Sequence, residues 1–383
     1  MVDFIKISGT PTERGFQQGD QLKEKIHTTF NTVFHSKMFS EVTSKIIPLS
    51  IIKLGLGLIG KKHIQKSLSQ LLPNQYEKMI ALSKAAGVSK RLILGSHFIE
   101  VMSGDPKSVY KNQPVPSCSM IFALPEATLD NIMIFGRNYD FPNVLQPFQV
   151  VREETPNKGY KNLNFTQYPL IGCHMGLNEK GLAIGYNFGR SWKKQPLDFR
   201  LDGVPATFII QEALETCATT QEASDFISDF PARANGFHCG LMDSSGDVRV
   251  IETTSTRFAI RRPKEGILAH TNHYQSEELK DANLPDYVRF KMDNLDISPI
   301  ESPIRRYNRE IELLKKYNSQ ITIETFKAIL SDHDNREPDD FTVCTHGLAA
   351  GTLGSIIILP RKKEFWVTDN HPCESQYEKF ILK

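Results

Sequence analysis

The chain of 383 residues has no excess of either charge: 46 Lys and Arg stand against 44 Asp and Glu, and no basic block exceeds three residues. A phosphate backbone would find no electrostatic footing, so nucleic acid is excluded as a partner. Long hydrophobic runs are also missing. The longest, Ile46 to Gly60, is broken by Pro48, Ser50 and Lys53, and covers about 15 residues where a membrane-spanning helix needs roughly 20. It reads as a buried or partner-facing helical hairpin, with weak membrane or lipid contact as the lesser reading. The opening residues, Met-Val-Asp-Phe-Ile-Lys-Ile, lack a basic segment leading into an apolar run, so no secretory signal is read and a cytoplasmic chain is expected.

Several chemical signatures are lacking as well. The six cysteines, at 118, 173, 217, 239, 344 and 373, are widely spread with no Cys-x-x-Cys pair, which favours reduced thiols over disulfide staples or a zinc knuckle. There is no G-x-S-x-G elbow, no phosphate-binding G-x-x-x-x-G-K-[ST] loop and no H-E-x-x-H. His270 and His273 flank Thr-Asn, and His333 sits in Ser-Asp-His-Asp; neither neighbourhood supplies enough further ligands for zinc. No metal and no cofactor are expected. Gly55-Leu-Gly57-Leu-Ile-Gly60 matches a dinucleotide fingerprint by letter, but Pro48 and Lys53 spoil the strand that must precede it.

What is present is a change of texture along the chain. Thr10, Pro11 and Glu13 form a helix start, a cap with a first-turn proline and a capping-box acid, for a helix with Phe16, Leu22, Ile26, Phe30 and Phe34 on its apolar face. Helices over Lys62 to Leu72 and Gln75 to Ala86 make the first 95 or so residues mostly helical. Ser103 to Ser117, with prolines at 106, 114 and 116, reads as an exposed linker. Strands follow: a hairpin over Ser119 to Ala123 and Ile132 to Phe135, another over Leu170 to Asn187, and a meander from Cys239 to Asn272. Paired helices are expected over 205–217 and 221–230, then over 302–317 and 323–330, before final strands at 341–344, 354–359 and 364–368. Strand runs alternating with helix pairs predict an α+β fold, two antiparallel sheets between helical layers, rather than a parallel doubly wound sheet.

The first hairpin carries the chemistry. If Ala123 pairs with Ile132, Cys118 stands opposite Arg137, with Cβ atoms roughly 5 Å apart, and Asp140 follows at the strand end. A thiol, a guanidinium and a carboxylate at one sheet edge can stabilise a thiolate and orient a base. Read alone, Arg137 with Asp140 is a surface ion pair, and Asn187 and Asn272 are turn residues.

Taken together, Ser117-Cys118-Ser119, Gly136-Arg-Asn-Tyr-Asp140, Asn178-Glu-Lys-Gly-Leu-Ala-Ile-Gly-Tyr-Asn187, Thr271-Asn-His-Tyr274, Ser302-Pro-Ile-Arg-Arg-Tyr-Asn-Arg309 and Pro372-Cys-Glu-Ser-Gln-Tyr377 resemble the autoproteolytic acyl-CoA:6-aminopenicillanate acyltransferase family. That family is related to bile-salt hydrolases and acid ceramidases. The likeness extends to Ile7-Ser-Gly-Thr-Pro-Thr-Glu-Arg-Gly15 near the N-terminus.

The resemblance implies an N-terminal nucleophile hydrolase: a four-layer αββα sandwich of two antiparallel sheets with a helical N-terminal pro-segment. The chain would cut itself between Ser117 and Cys118, leaving 1–117 as a small subunit associated with a catalytic 118–383. Cys118 would be the nucleophile, with Arg137 against its sulfur and Asp140 holding the new amino group. Asn187 and Asn272 would supply oxyanion contacts, and Arg306, beside Arg305, would support the site from a helix. A freed α-amino group has a pKa near 8 and can take the thiol proton. The implied substrate is a small acyl amide or acyl-CoA, its acyl group passing through an acyl-enzyme to water or an amine. The chain carries Ser117 where family members often have Gly. Two alternatives remain: a Cys/His hydrolase without self-cleavage, using His238, His270, His273 or His346, and a non-catalytic binding protein that keeps the fold.

Overall fold

A computed structural model describes residues 1–43, 46–104, 117–192, 198–285, 287–292, 295–347 and 350–383. Most of the expected linker, residues 105–116, lies outside the described residues. The chain opens with β1 (Asp3–Gly9), then α1 (Pro11–Gln21), α2 (Lys23–Phe34), α3 (Lys37–Val42), α4 (Leu49–Leu71), α5 (Pro73–Ala85) and α6 (Lys90–Ser103). After the linker come β2 (Ser119–Ala123), β3 (Ile134–Pro142), β4 (Gln149–Pro156), β5 (Asn162–Gln167), β6 (Met175–Asn178) and β7 (Ala183–Phe188). Helices α7 (Ala206–Thr216) and α8 (Thr220–Ser228) lead into β8 (Phe237–Met242), β9 (Val248–Thr253), β10 (Phe258–Arg261) and β11 (Ile267–His270). A two-stranded ribbon, β12 (Phe290–Met292) and β13 (Leu295–Ile297), precedes α9 (Glu301–Lys316) and α10 (Ile323–Leu330). The chain finishes with β14 (Ala350–Leu359), β15 (Glu364–Val367) and β16 (Glu378–Ile381).

The strands form an eight-stranded sheet, ordered β1-β4-β5-β6-β7-β8-β9-β10, and a six-stranded sheet, ordered β11-β2-β3-β14-β15-β16. Alternation along each strand sorts its side chains between layers. Met120 and Phe122 of β2 point with Phe135 of β3 into an apolar layer shared with Phe165, Met175 and Val250 of the larger sheet. Ile121 and Ala123 face the other way, onto Leu314, Phe326 and Leu330 of α9 and α10. The outer face of the larger sheet, including Ile184, Cys239 and Ile251, is covered by Ile26, Leu68, Leu82, Phe98 and Phe208 from the helices. These are the four layers, helix, sheet, sheet, helix, that the sequence predicts. One pairing departs from the antiparallel expectation: β1 runs parallel to β4.

The N-terminal third differs from expectation in instructive ways. The helix opened by Thr10 has its capping box, but it breaks at Leu22 into two. Phe16 is exposed, and the buried face of α1 is Arg14, Gly15, Gln18 and Gly19. Small residues there let two backbones touch: a Cβ on Gly15 would lie 2.1 Å from Lys78 O of α5. The expected hairpin over Ile46 to Gly60 is instead the first half of the 23-residue α4, and the glycine pattern in it is a helix-crossing seam. A Cβ on Gly60 would meet Gly95 N of α6 at 2.7 Å. No described helix is long and apolar enough to cross a membrane.

Elsewhere the sheets extend beyond what alternation announced. Strands β1, β4, β5 and β16 were not anticipated, and β11 leaves the meander to pair with β2 in the other sheet. The expected strand at 341–344 is irregular; its chain turns around Thr342 Oγ1, which lies 3.0 Å from Asp339 O and 2.7 Å from Cys344 O.

The N-terminal segment is tied to the larger sheet by buried charge as well as by β1. Arg14 Nη1 donates to Glu154 Oε2 at 2.6 Å, and Nη1 and Nη2 both reach the Glu215 carboxylate at 2.9 Å. Lys78 Nζ donates to the same Glu154 oxygen at 2.5 Å. Burial alone would raise the Glu154 pKa; Lys78, Arg152 and Arg14 outweigh it and hold the carboxylate below its ordinary range.

Candidate active site

Cys118 immediately precedes β2, and the described Cys118 side chain is 2 % exposed. The hairpin register is two residues from the expected one: Ala123 pairs with Ile134 and Met120 with Arg137. A shift of two preserves the face of every side chain, so Arg137 becomes a diagonal neighbour of Cys118 and still reaches it. Arg137 Nη2 lies 3.2 Å from Cys118 Sγ. Arg137 in turn is positioned by Asn187 of β7, whose Oδ1 accepts from Nε at 3.2 Å, and its guanidinium lies over the Tyr139 ring at 5.1 Å. The larger sheet can approach because β7 has Gly185 here; a Cβ there would sit 2.7 Å from Phe135 Cζ.

The main chain of Cys118 is held as firmly as its sulfur. The Cys118 N–H donates to Asn272 Oδ1 at 2.7 Å. Its carbonyl accepts from Arg306 Nη1 at 2.9 Å and from Asn187 Nδ2 at 3.3 Å. Arg306 Nη2 also donates to Asn272 Oδ1, at 3.0 Å, so one amide oxygen joins the α9 guanidinium to the Cys118 nitrogen. Arg306 is fully buried, whereas Arg305 is exposed and paired with Glu301. The inward arginine is therefore Arg306.

Asp140 lies on β3 opposite Thr352, next to a bulge in β14 between Thr352 and Gly354. Thr352 Oγ1 donates to Asp140 Oδ1 at 2.6 Å and Thr345 Oγ1 to Oδ2 at 3.4 Å; Arg306 Nη1 is 3.9 Å from Oδ2. Burial pushes the Asp140 pKa up to about 6, against the pull of Arg306 and the Thr352 bond. Burial also raises the Cys118 thiol; Arg137 opposes it and Asp140 adds to it. The thiol is thus protonated at rest and needs a base.

All six anticipated residues, Cys118, Arg137, Asp140, Asn187, Asn272 and Arg306, meet around Cys118, where Arg137 and Asn187 join the two sheets and Arg306 reaches in from α9; all but the half-buried Asn272 are buried. The detail differs in one respect. The nitrogen expected to be held by Asp140 is bonded to Asn272, and Asp140 is engaged by threonines. The side-chain N–H groups of both asparagines donate to main-chain carbonyls, Asn187 to those of Cys118, His270 and Thr271, and Asn272 to that of Phe188.

Several members were missed. Ser302 and Glu310 lie four residues either side of Arg306 on α9, where helical spacing puts them on its face: Arg306 Nε donates to Ser302 Oγ at 3.2 Å, and burial lifts Glu310 to about 8. Ser119 Oγ accepts from Arg306 Nη1 at 2.9 Å. Thr345 and Thr352 gave no sequence signal, because only the β14 pairing brings them to Asp140.

Of the histidines proposed as alternative bases, His238 pairs with Asn187 across β8 and β7 and His273 Nδ1 lies 3.1 Å from Thr271 Oγ1, both beside site residues, while His270 and His346 are engaged by other partners. Both ring nitrogens of His270 are engaged, by Thr271 O at 2.7 Å and Glu252 Oε1 at 3.0 Å. His346 Nε2 lies 3.4 Å from Cys344 Sγ, not against Cys118.

A cysteine opening an inner strand of an αββα sandwich, with an arginine on its sulfur and two asparagine amides on its main chain, defines the class of site. Residues 128–372 match the family described as acyl-coenzyme A:6-aminopenicillanic acid acyl-transferase; the chain belongs to that family. It is similar to an uncharacterized protein of Archaeoglobus fulgidus, 20% identical over 278 residues, which cover 67% of this chain and 44% of the relative. Protein dcd1A of Dictyostelium discoideum is 25% identical over 257 residues, 58% of this chain and 52% of that protein. The chain thus spans about half the length of the curated relatives it matches. Among solved structures, the Caenorhabditis elegans ortholog of N-acylethanolamine-hydrolyzing acid amidase is similar over 70% of this chain and 100% of its own, at 17% identity and a TM-score of 0.43.

Proposed function

We propose that the protein is a self-processing cysteine amidohydrolase or acyltransferase with Cys118 as its nucleophile. The observation that carries this reading is the convergence of Arg137 on the sulfur and of Asn272, Asn187 and Arg306 on the main chain of the same residue. In processing, Cys118 Sγ adds to the Ser117 carbonyl carbon and the Ser117 C–N bond breaks. The nitrogen takes the thiol proton, leaving a thioester that water hydrolyses to a Ser117 carboxylate and a free Cys118 thiol. The freed α-amino group then supplies the base that the buried, protonated thiol lacks.

In turnover the thiolate attacks the carbonyl of an acyl amide or thioester, and the amine or thiol leaves with a proton from the Cys118 ammonium. The acyl group on sulfur passes to water or to an amine. Asn187 and Asn272 are the proposed oxyanion donors, one through its backbone N–H and one through its side-chain amide, the latter exchanging a carbonyl partner for substrate. Arg306 fixes Asn272. The Cys118 nitrogen contact to Asn272 supports giving Asn272 the amino group as well, with Asp140 acting on it through Arg306.

After the cut, 1–117 and 118–383 are proposed to stay associated, since β1, the Arg14 and Lys78 ion pairs and the shared apolar layer all bridge them. Exposed Ile51, Leu54 and Leu58 on α4 are where a weak lipid contact would form. A panel of acyl-CoA donors, N-acyl amines, N-acyl amino acids and penicillins tests the activity. Turnover that is lost in Cys118→Ala and blocked by iodoacetamide is expected. Activity that survives both would overturn the reading.

A further inference from the structure

Away from Cys118, four side chains from three separate stretches meet. His333 follows α10, Cys344 and His346 lie before β14, and Cys373 lies between β15 and β16. Their ligand atoms are all within 4.8 Å of one another. Three of the separations are tighter: Cys344 Sγ to Cys373 Sγ is 3.6 Å, Cys344 Sγ to His346 Nε2 is 3.4 Å and His346 Nε2 to Cys373 Sγ is 3.3 Å.

These lengths have a specific meaning. In a tetrahedral zinc site with Zn–S near 2.3 Å and Zn–N near 2.05 Å, the S···S edge is about 3.8 Å and the S···N edge about 3.6 Å. The three observed edges come within about 0.3 Å of one face of that tetrahedron. A disulfide would instead require the two sulfurs at about 2.05 Å, and both cysteines are free. His333 Nε2 is buried and has no hydrogen-bond partner among the described residues, an uncompensated cost unless something accepts its lone pair.

We propose that His333, Cys344, His346 and Cys373 form a structural zinc site. Two thiolates and two neutral imidazoles in tetrahedral arrangement are the donor set that favours zinc over magnesium, calcium or manganese. The site closes with His333 Nε2 as fourth ligand, and binding releases the two thiol protons to solvent. The four residues do not stand out as a set in the sequence because their spacing, 11 residues from His333 to Cys344 and 27 from His346 to Cys373 by their numbers in the sequence, matches no local finger pattern. Only the fold assembles it.

The placement gives the metal a job. Thr345, between two of the ligands, donates through Oγ1 to Asp140, and its N–H and carbonyl both bond Thr352. Zinc would fix the loop that fixes Asp140, without touching Cys118.

The test uses tag-free, full-length protein expressed in zinc-supplemented medium, assayed by inductively coupled plasma mass spectrometry. One zinc per chain is expected in the wild type and in Cys118→Ala. Less than a tenth of that is expected in Cys344→Ser/Cys373→Ser, with the variant checked for folding by circular dichroism and size exclusion. Should that variant not fold, cobalt replacement in the wild type gives the second readout: thiolate-to-cobalt charge transfer and the intense visible bands of tetrahedral coordination are expected. Zinc-free wild type that gives no such bands, a Cys344–Cys373 disulfide on peptide mapping, or zinc fully retained in the double variant would overturn the assignment. None of these readouts depends on Cys118 chemistry, so the two proposals fail separately.

Discussion

Arg137 Nη2 lies 3.2 Å from Cys118 Sγ although the two residues are diagonal rather than opposite across β2 and β3. The guanidinium is the nearest cation to a sulfur that burial would otherwise keep protonated. Replacing it by an uncharged side chain should leave the thiol harder to ionise. Arg137→Gln is expected to lower kcat/KM by ~10²-fold, on the scale of losing one charge-stabilising donor. The pH midpoint for alkylation of Cys118 should rise at the same time. Iodoacetamide labelling across a pH series, followed by peptide mapping, checks it.

Asp140 predicts a pH signature with opposite signs for folding and for catalysis. The folded value of about 6 lies above the ordinary aspartate value, so the folded chain holds this proton more tightly than the unfolded one. The stability it contributes is fully present below the unfolded pKa and is lost as pH rises to about 6. Activity should rise around pH 6, where the folded carboxylate forms. In Asp140→Asn both dependences should flatten, which urea titrations and kcat/KM profiles between pH 4 and 8 will read out.

Arg14 joins the N-terminal segment to Glu154 and Glu215 in a buried network. Removing one member strands charge on the others, so Arg14→Met is expected to cost about 3 to 5 kcal/mol. The urea midpoint of the wild type and the variant measures it. In processed enzyme the variant should also shed its small subunit on size exclusion, whereas the wild type elutes as one species.

Gly15→Ala probes the backbone contact between α1 and α5. With only 2.1 Å from the added Cβ to Lys78 O, the helices must separate, and overpacking of this kind costs about 1 to 3 kcal/mol. A lower thermal midpoint with unchanged kcat is the expected outcome in calorimetry and steady-state assays.

How much of this was legible in the sequence follows from the range of the interactions involved. Cys118, Arg137 and Asp140 sit on one hairpin, so alternation put them on neighbouring positions even with the register two residues off. Arg306 shares a helix face with Ser302 and Glu310, a relation that spacing alone could have given. The helices at 206–216 and 301–316 were legible because their cores repeat every turn.

What failed was either tertiary or hidden by composition. Strand β1 pairs with β4 across nearly 150 positions, and nothing local to Asp3–Gly9 announces a partner. The buried face of α1 is polar and glycine-rich because it meets backbone and carboxylates, so Phe16 lies exposed, whereas Leu22, Ile26 and Phe34 of the same stripe are buried. Gly57 and Gly60 mimic a nucleotide loop and serve as a helix seam. Thr345 and Thr352 reach Asp140 only through a bulged strand.

The most direct test of the account is the intact mass of the purified protein with the N-terminal sequence of each fragment. Fragments of ~13 and ~30 kDa are expected from a mean residue mass of about 110 Da, the larger beginning at Cys118, while Cys118→Ala should remain a single full-length chain. A new terminus at any other residue, or equal processing in Cys118→Ala, would contradict it.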